Sequence, residues 1–342
     1  MATEQERFAN AVEIGRLNTA YAQSKLLHSA VEVGVFELLA EGPASLKEIE
    51  ERLELHPRLL RDFCDGLVAL GLLEREDGTY RNSAKTEQVL LKDSPLYLGS
   101  AVLTASSRHL PMWGKLTEAL RDGLPKAAGA AGPDVFLKLY ENKDAARKFL
   151  AHMDSAHATV GPQLAQALDW SRYSSFIDVG GARGNVAAAI AQAHPHLTGG
   201  VFELPAVEPL FDEHVERLGL ANRVFFHSGD FFEKPMPQTD VVILGHVLHD
   251  WALEERRTLL KRAFEAVRPG GALVIYDQML DEEDPNLFSV LGSLNVALVT
   301  PGSEYTVAEC RELVAEVGFQ VVSAERILTT GSDLVLVAEK AG

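Results

Sequence analysis

The sequence predicts an α/β protein, a Rossmann-like domain of mainly parallel strands preceded by a smaller, mainly α domain in winged-helix order. Three observations carry this. Beyond Trp170, short β-rich runs alternate with helical patterns. The first hundred residues read as helix, helix, hairpin. And the apolar run "FIDVG" leads directly into a glycine turn, "GARGN". Alternation of strand and helix implies right-handed βαβ units and a parallel sheet.

In chain order, "LLHSAVEVGVFELLAEGPAS" has apolar residues at helical spacing and stops at Gly42-Pro43. Ser45 lies three residues before Glu48, a capping-box pattern opening "LKEIEERL". Pro57 starts the next helix, where Leu60, Phe63, Leu67 and Leu70 make one apolar face. Asp77-Gly78 then turns a hairpin inside "LLEREDGTYRNS". Residues 101–170 read as helices interrupted by "GLPKAAGAAGPD". From 171 to 342 the strand runs are "FIDVG", "GGVFEL", "VFFHSG", "DVVILGHV", "ALVIYDQML", "FQVVSAERI" and "DLVLVAEK". The last two are joined by "LTTGSD" without a helix, which predicts an antiparallel pair at one side of the sheet. The expected domains are therefore 1–100, a helical region 101–170, and 171–342.

Composition narrows the function. With a formal net charge of −17 and no basic cluster, the surface repels phosphate backbones and anionic lipid. The would-be recognition helix carries Arg58 and Arg61 but also Asp62 and Asp65, so the winged-helix order points to a structural or dimerising role rather than DNA reading. No run of eighteen apolar residues predicts a membrane span, and the polar N-terminal stretch has no signal-peptide core. Cys64 and Cys310 are far apart in helix-like patterns, so a disulfide or zinc framework is not expected. A cytoplasmic protein is the expectation.

The glycine turn does not fit a dinucleotide fingerprint, since Ala182 and Asn185 stand where G-x-G-x-x-G needs glycine. Its spacing is D-x-G-x-A-x-G, from Asp178 through Gly180, Gly181 and Ala182 to Gly184. That is one substitution from the D/E-x-G-x-G-x-G turn of enzymes that use S-adenosylmethionine (SAM), although tight packing alone could also explain it. Two acids at later strand ends strengthen the cofactor reading. Glu203 in "VFELP", with Leu204 beside it, is positioned to accept the ribose hydroxyls. Asp230 in "SGDFF" could accept from the adenine amine, with Phe231 against the ring.

On these residues the chain resembles the SAM-dependent small-molecule O-methyltransferases typified by caffeate and acetylserotonin methyltransferases and by bacterial antibiotic-tailoring enzymes. "DVGGARG", "FELP", "GDFF", "LHDW" and "RPGGALVIYDQML" match the family's motifs in order. The N-terminal hundred residues resemble its winged-helix dimerisation domain. The resemblance implies SAM as methyl donor, S-adenosylhomocysteine as product, a homodimer, and a small aromatic acceptor bound between the domains. It places the general base at His249, flanked by Asp277 and Glu304. Plant relatives usually carry glutamate at the first of these places, so Asp277 is one methylene short. Gly245 falls where they carry lysine, and Ala182 replaces the middle glycine. Histidine suits removal of a phenolic proton near neutrality.

The acceptor pocket is expected to draw on Phe149, Met153, His246 and Asn295, with lids formed by glycine loops at 121–134 and 299–304. Trp251 and Asp250 are expected to pack and cap the following helix. Metal binding by His246 and His249 lacks an obvious third ligand, and no metal is predicted. Three rivals follow from the same features. A relative could methylate carbon or nitrogen, could have drifted to hydroxylation or rearrangement, or could be a winged-helix regulator with a sensor domain. The apolar Ala20–Leu39 region predicts a face covered by a second copy.

Overall fold

The computed structural model describes residues 3–127, 135–156, 158–329 and 331–342. They fall into two compact units, Met1–Leu110 and Pro111–Gly342. The first unit thus runs ten residues past the expected boundary, because helix Gly99–Thr104 packs on helix Ala20–Val33.

In the first unit, helix Leu46–Leu53 opens on the expected capping box, Ser45 with Glu48. Helix Pro57–Ala69 buries Leu60, Cys64 and Leu67 against Phe36, Leu39 and Ile49. Three strands follow the winged-helix order: β1 (Ala44–Ser45), β2 (Leu73–Glu76) and β3 (Thr79–Asn82), with β3 central. Asp77 and Gly78 have φ of +48° and +81°, the two left-handed residues that a tight hairpin requires. Asp65 on the would-be recognition helix is committed inside the unit, accepting from Arg75 and from the Tyr80 hydroxyl, both at 2.7 Å. The apolar face left open differs from the one expected. From Leu26 to Leu39 the apolar side chains are covered by their own unit, while residues 20–25 are exposed and helix Glu4–Asn18 buries nothing. Phe8, Ile14, Leu17 and Tyr21 are exposed.

The second unit is built on a seven-stranded sheet of β4 (Ser175–Val179), β5 (Thr198–Glu203), β6 (Val224–Ser228), β7 (Thr239–Gly245), β8 (Val267–Asp277), β9 (Gln320–Arg326) and β10 (Leu334–Glu339). Its order is β6-β5-β4-β7-β8-β10-β9, parallel through β8 and closed by the antiparallel β10 and β9. Alternate residues feed two cores, one on each face. Ile177, Val242 and Ile275 pack towards helices Leu253–Ala266 and Val307–Glu316. Phe176, Ile243 and Val274 pack towards helices Val160–Ala167 and Asn185–Ala193. Chain order reverses between β4 and β7, and such a switch point opens a crevice at the carboxyl ends of the strands.

Candidate active site

The glycine turn leaves β4 into this crevice. Gly180, Ala182 and Gly184 have φ of +69°, +50° and +88°. Closure of the turn and its packing both demand the glycines. A Cβ on Gly180 would lie 2.7 Å from Val247, and one on Gly181 would lie 2.6 Å from the Asp178 carboxylate. Gly184 starts helix Asn185–Ala193 and packs on Phe211. Ala182 holds a left-handed conformation that disfavours any side chain by about 1–2 kcal/mol.

A cleft of about 990 Å³, its solvent mouth included, opens above the turn. Asp178, Gly180, Gly181, Glu203, Leu204, Asp230 and Phe231 line it, together with Phe149, Met153 and His246. Gly184 and Asn295 do not line it. Asn295 instead accepts from the indole N–H of Trp113 at 3.2 Å. Three successive strand ends therefore deliver three acids to one cavity. Asp178 is buried, and its Oδ2 has no hydrogen-bond partner among the described residues. Burial, then the nearby Glu203 carboxylate, pushes its pKa up to about 8. Glu203 is pushed up to about 7, by burial against the opposing pull of the Leu204 and Ala182 backbone N–H groups. Asp230 accepts from the Phe232 N–H at 2.7 Å.

The second cluster follows β7. His246 leaves the strand at a φ of +50°, and His249 sits in the 3₁₀ turn Leu248–Asp250, so the pair do not share a helix face. Their rings are nonetheless 5.2 Å apart. His249 Nδ1 lies 2.6 Å from Glu304 Oε1 and 3.2 Å from Asp277 Oδ1. Glu304 takes the hydrogen bond; Asp277 Oδ1 makes none among the described residues and acts as a nearby charge. The other Asp277 oxygen accepts from the Tyr305 hydroxyl. Burial works against the His249 cation, but the two carboxylates outweigh it and push the pKa up to about 10. Burial raises Asp277. Glu304 is also buried, yet the His249 charge and hydrogen bond hold it below the ordinary value. His249 Nε2 makes no hydrogen bond among the described residues, with Asp250 Oδ1 at 3.9 Å.

Several participants carry no signal in the sequence. Asp333, from the β9–β10 connection, approaches His246 Nε2 at 3.0 Å. Asp277 supplies the third donor that the histidine pair lacked, since donor atoms of His246, His249 and Asp277 all lie within 4.8 Å of one another. Asp154 joins helix Lys143–Ala156 to the glycine turn through Arg183 and Asn185. Arg256 donates to Leu248 O at 2.9 Å, to Trp251 O at 2.8 Å and to Ser303 O at 2.5 Å, tying the His249 turn to the Glu304 loop. Trp251 and Asp250 line the cleft, and Ala252, without a side-chain bond, caps the next helix. Of the first expected lid, 121–134, residues 128–134 lie outside the described residues. At the other, Gly302 packs against the His249 backbone.

Residues 113–320 match the O-methyltransferase domain family, and residues 16–91 match the O-methyltransferase dimerisation domain family. The chain is 46% identical over 334 residues to the N,N-dimethyltransferase OxyT of Streptomyces rimosus, covering 97% of each chain. It is 44% identical over 331 residues to the tetracenomycin polyketide synthesis 8-O-methyl transferase TcmO of Streptomyces glaucescens, covering 96% of each. In structure it is similar to human N-acetylserotonin methyltransferase in complex with SAM, with a TM-score of 0.89, 26% identity and 100% of both chains covered.

Proposed function

Because the chain belongs to the O-methyltransferase family, we propose that it transfers the methyl group of SAM to a hydroxyl of a small aromatic acceptor, with His249 as general base. The observation that supports this most is the convergence of Asp178, Glu203 and Asp230 on the cleft that the His246–Trp251 turn also borders. The residues fit the cofactor. A buried carboxylate oxygen without a partner suits the ammonium end of an amino-acid tail, and an acid-lined cleft favours a cation. Glu203 and Asp230 would hold the nucleoside, and Phe231 its ring.

When bound, SAM supplies an electrophilic methyl group on a sulfonium, so the protein has to align the acceptor and take its proton. Glu304 holds the Nδ1 proton of His249 and leaves Nε2 for the acceptor. With its pKa at about 10, His249 is matched to a phenol, whose own value is about 10. The raised pKa favours its cation at neutral pH, and a second positive charge nearby lowers its proton affinity. Phe149, Met153 and Trp251 offer the acceptor aromatic and polarizable surface. The N-terminal unit pairs with a second copy, which covers Phe8, Ile14, Leu17 and Tyr21.

Methyl-deuterated SAM, supplied with phenolic and amino-bearing polyketide acceptors, tests the reading by mass spectrometry. A labelled methyl on oxygen is expected. A second reading, transfer to nitrogen, rests on the 46% identity to OxyT, and label found on an amine alone would replace the first reading with it. No label with any acceptor, while SAM binds, would remove both.

Protonation of the cofactor acids makes a further prediction. Asp178 and Glu203 sit above their unfolded values, so their contribution to stability is complete below about pH 4. It is lost as the pH rises through about 7 and about 8. A cation held by the ionised acids reverses that loss. Affinity for SAM is expected to rise from pH 6 to pH 8 by up to about tenfold per unit for each proton released. Calorimetry in two buffers of different ionisation enthalpy reads the proton release directly. A pH-independent affinity with no proton release would show that neither acid changes charge on binding.

A further inference from the structure

Gly245 and Tyr276 are register partners at the carboxyl ends of β7 and β8. A Cβ built on Gly245 would fall 1.8 Å from Tyr276 Cζ and 2.3 Å from its hydroxyl. The tyrosine therefore lies across the bare backbone of its neighbour, in the space that any other residue at 245 would fill. This brings Tyr276 to the wall of the cleft, although only 4% of its surface is exposed. Its ring meets His246 edge-on at 5.3 Å. Among the described residues its hydroxyl makes no hydrogen bond, which leaves its proton for a ligand in the cleft that the residue lines.

The charge around the cleft decides which ligand atom this is. Asp154, paired with Arg183, lines the cavity with Asp178, Glu203, Asp230 and Asp250, and among the described residues no lysine or arginine lines it. Such a wall holds the cationic and hydroxyl parts of a SAM-like molecule but repels the carboxylate of its tail. A carboxylate placed there needs a donor that carries no negative charge. Burial and the surrounding acids, Asp178 first, keep the Tyr276 phenol protonated well above its ordinary range. Tyr140 also lines the cleft, but Glu203 and Asp250 are the acids that act on its phenol, whereas Asp178 is the first to act on that of Tyr276.

We propose that the Tyr276 hydroxyl donates a hydrogen bond to the α-carboxylate of the bound cofactor, beside the Asp178 oxygen that takes the ammonium, and that Gly245 is present to let it reach there. This rests on the SAM reading above and adds a residue to it that no motif of the sequence indicates.

Binding to the ligand-free enzyme tests it without turnover. Calorimetry compares wild type and Tyr276→Phe, each titrated with SAM and with decarboxylated SAM, which keeps the sulfonium and the amine but lacks the carboxylate. Phenylalanine preserves the ring packed on Gly245, and an unchanged melting temperature verifies this. Loss of a hydrogen bond to a charged group predicts that Tyr276→Phe binds SAM about 10- to 100-fold more weakly. Its affinity for the decarboxylated ligand is expected to equal that of wild type. Unchanged SAM affinity in the variant, or an equal loss for both ligands, overturns the assignment. Failure of the wild type to bind SAM at all would instead overturn the cofactor reading, and the assignment with it.

Discussion

Replacing His249 with alanine is expected to lower turnover by about 10²- to 10⁴-fold, the usual contribution of a positioned general base, while SAM still binds. The residues assigned to SAM lie at the ends of β4, β5 and β8 and just past β6, and the imidazole of His249 bonds to none of them. The same change removes the cation between Glu304 and Asp277, both buried. Breaking a buried charge pair costs about 3–5 kcal/mol when the remaining charge finds no relief. Here the acids can take up a proton, so the loss of stability is expected to be largest above neutral pH. His249→Gln separates the two effects, because its amide can still donate to Glu304 but cannot act as a base. Turnover is expected to fall as in the alanine variant, with most of the stability restored. The wild-type rate is also expected to climb with pH above neutrality, since its histidine is held as a cation with a pKa of about 10. Absence of that ascending limb from both variants would identify it with His249. Full activity in either variant would exclude the proposed base.

Gly302→Ala is expected to be nearly as damaging, although residue 302 touches no proposed ligand. A Cβ there would lie 2.0 Å from the His249 carbonyl oxygen and 2.5 Å from the backbone of Asp250 and Trp251. These are main-chain atoms, already pinned by Arg256, so they cannot swing aside as a flexible side chain would. The loop carrying Glu304 must therefore move away from the His249 turn. Overpacking of this kind costs about 1–3 kcal/mol, and a shift of about 1 Å in a catalytic arrangement can cost about 10²-fold in rate. Thermal unfolding and steady-state kinetics on the one variant read both. A variant with wild-type melting temperature and turnover would mean that the two loops are not held by this contact.

Much of the fold was legible because it rests on local rules. The capping box at Ser45, the hairpin at Asp77-Gly78 and the alternation of strand and helix beyond Trp170 each follow from a few neighbouring residues. The ends of β8 were harder to read, since "VRPGG" looks like a turn yet continues into the strand from Val267. The open apolar face expected over Ala20–Leu39 keeps Tyr21 but otherwise lies on helix Glu4–Asn18. Which side of an amphipathic helix is covered depends on what packs on it, and helix Gly99–Thr104 comes from eighty residues away. In the candidate site, the residues at strand ends were legible from spacing, because a parallel sheet delivers all its carboxyl ends to one edge. Asn295 was not, because its amide was free to choose between the pocket and Trp113.

The pairing of a histidine turn with later acids followed from the family resemblance; by itself the sequence determined the order of elements and the acid-bearing strand ends at Asp178, Glu203 and Asp230. Those depend on spacing along the chain, which backbone geometry converts into position. Only the tertiary structure decided that Glu304 rather than Asp277 bonds His249, that Asp333 stands against His246, and that Tyr276 lies over Gly245. Each of these is a matter of one or two ångströms between residues tens of positions apart. A methylene more or less, or a missing Cβ, sets them, and such distances exist only once the loops have packed.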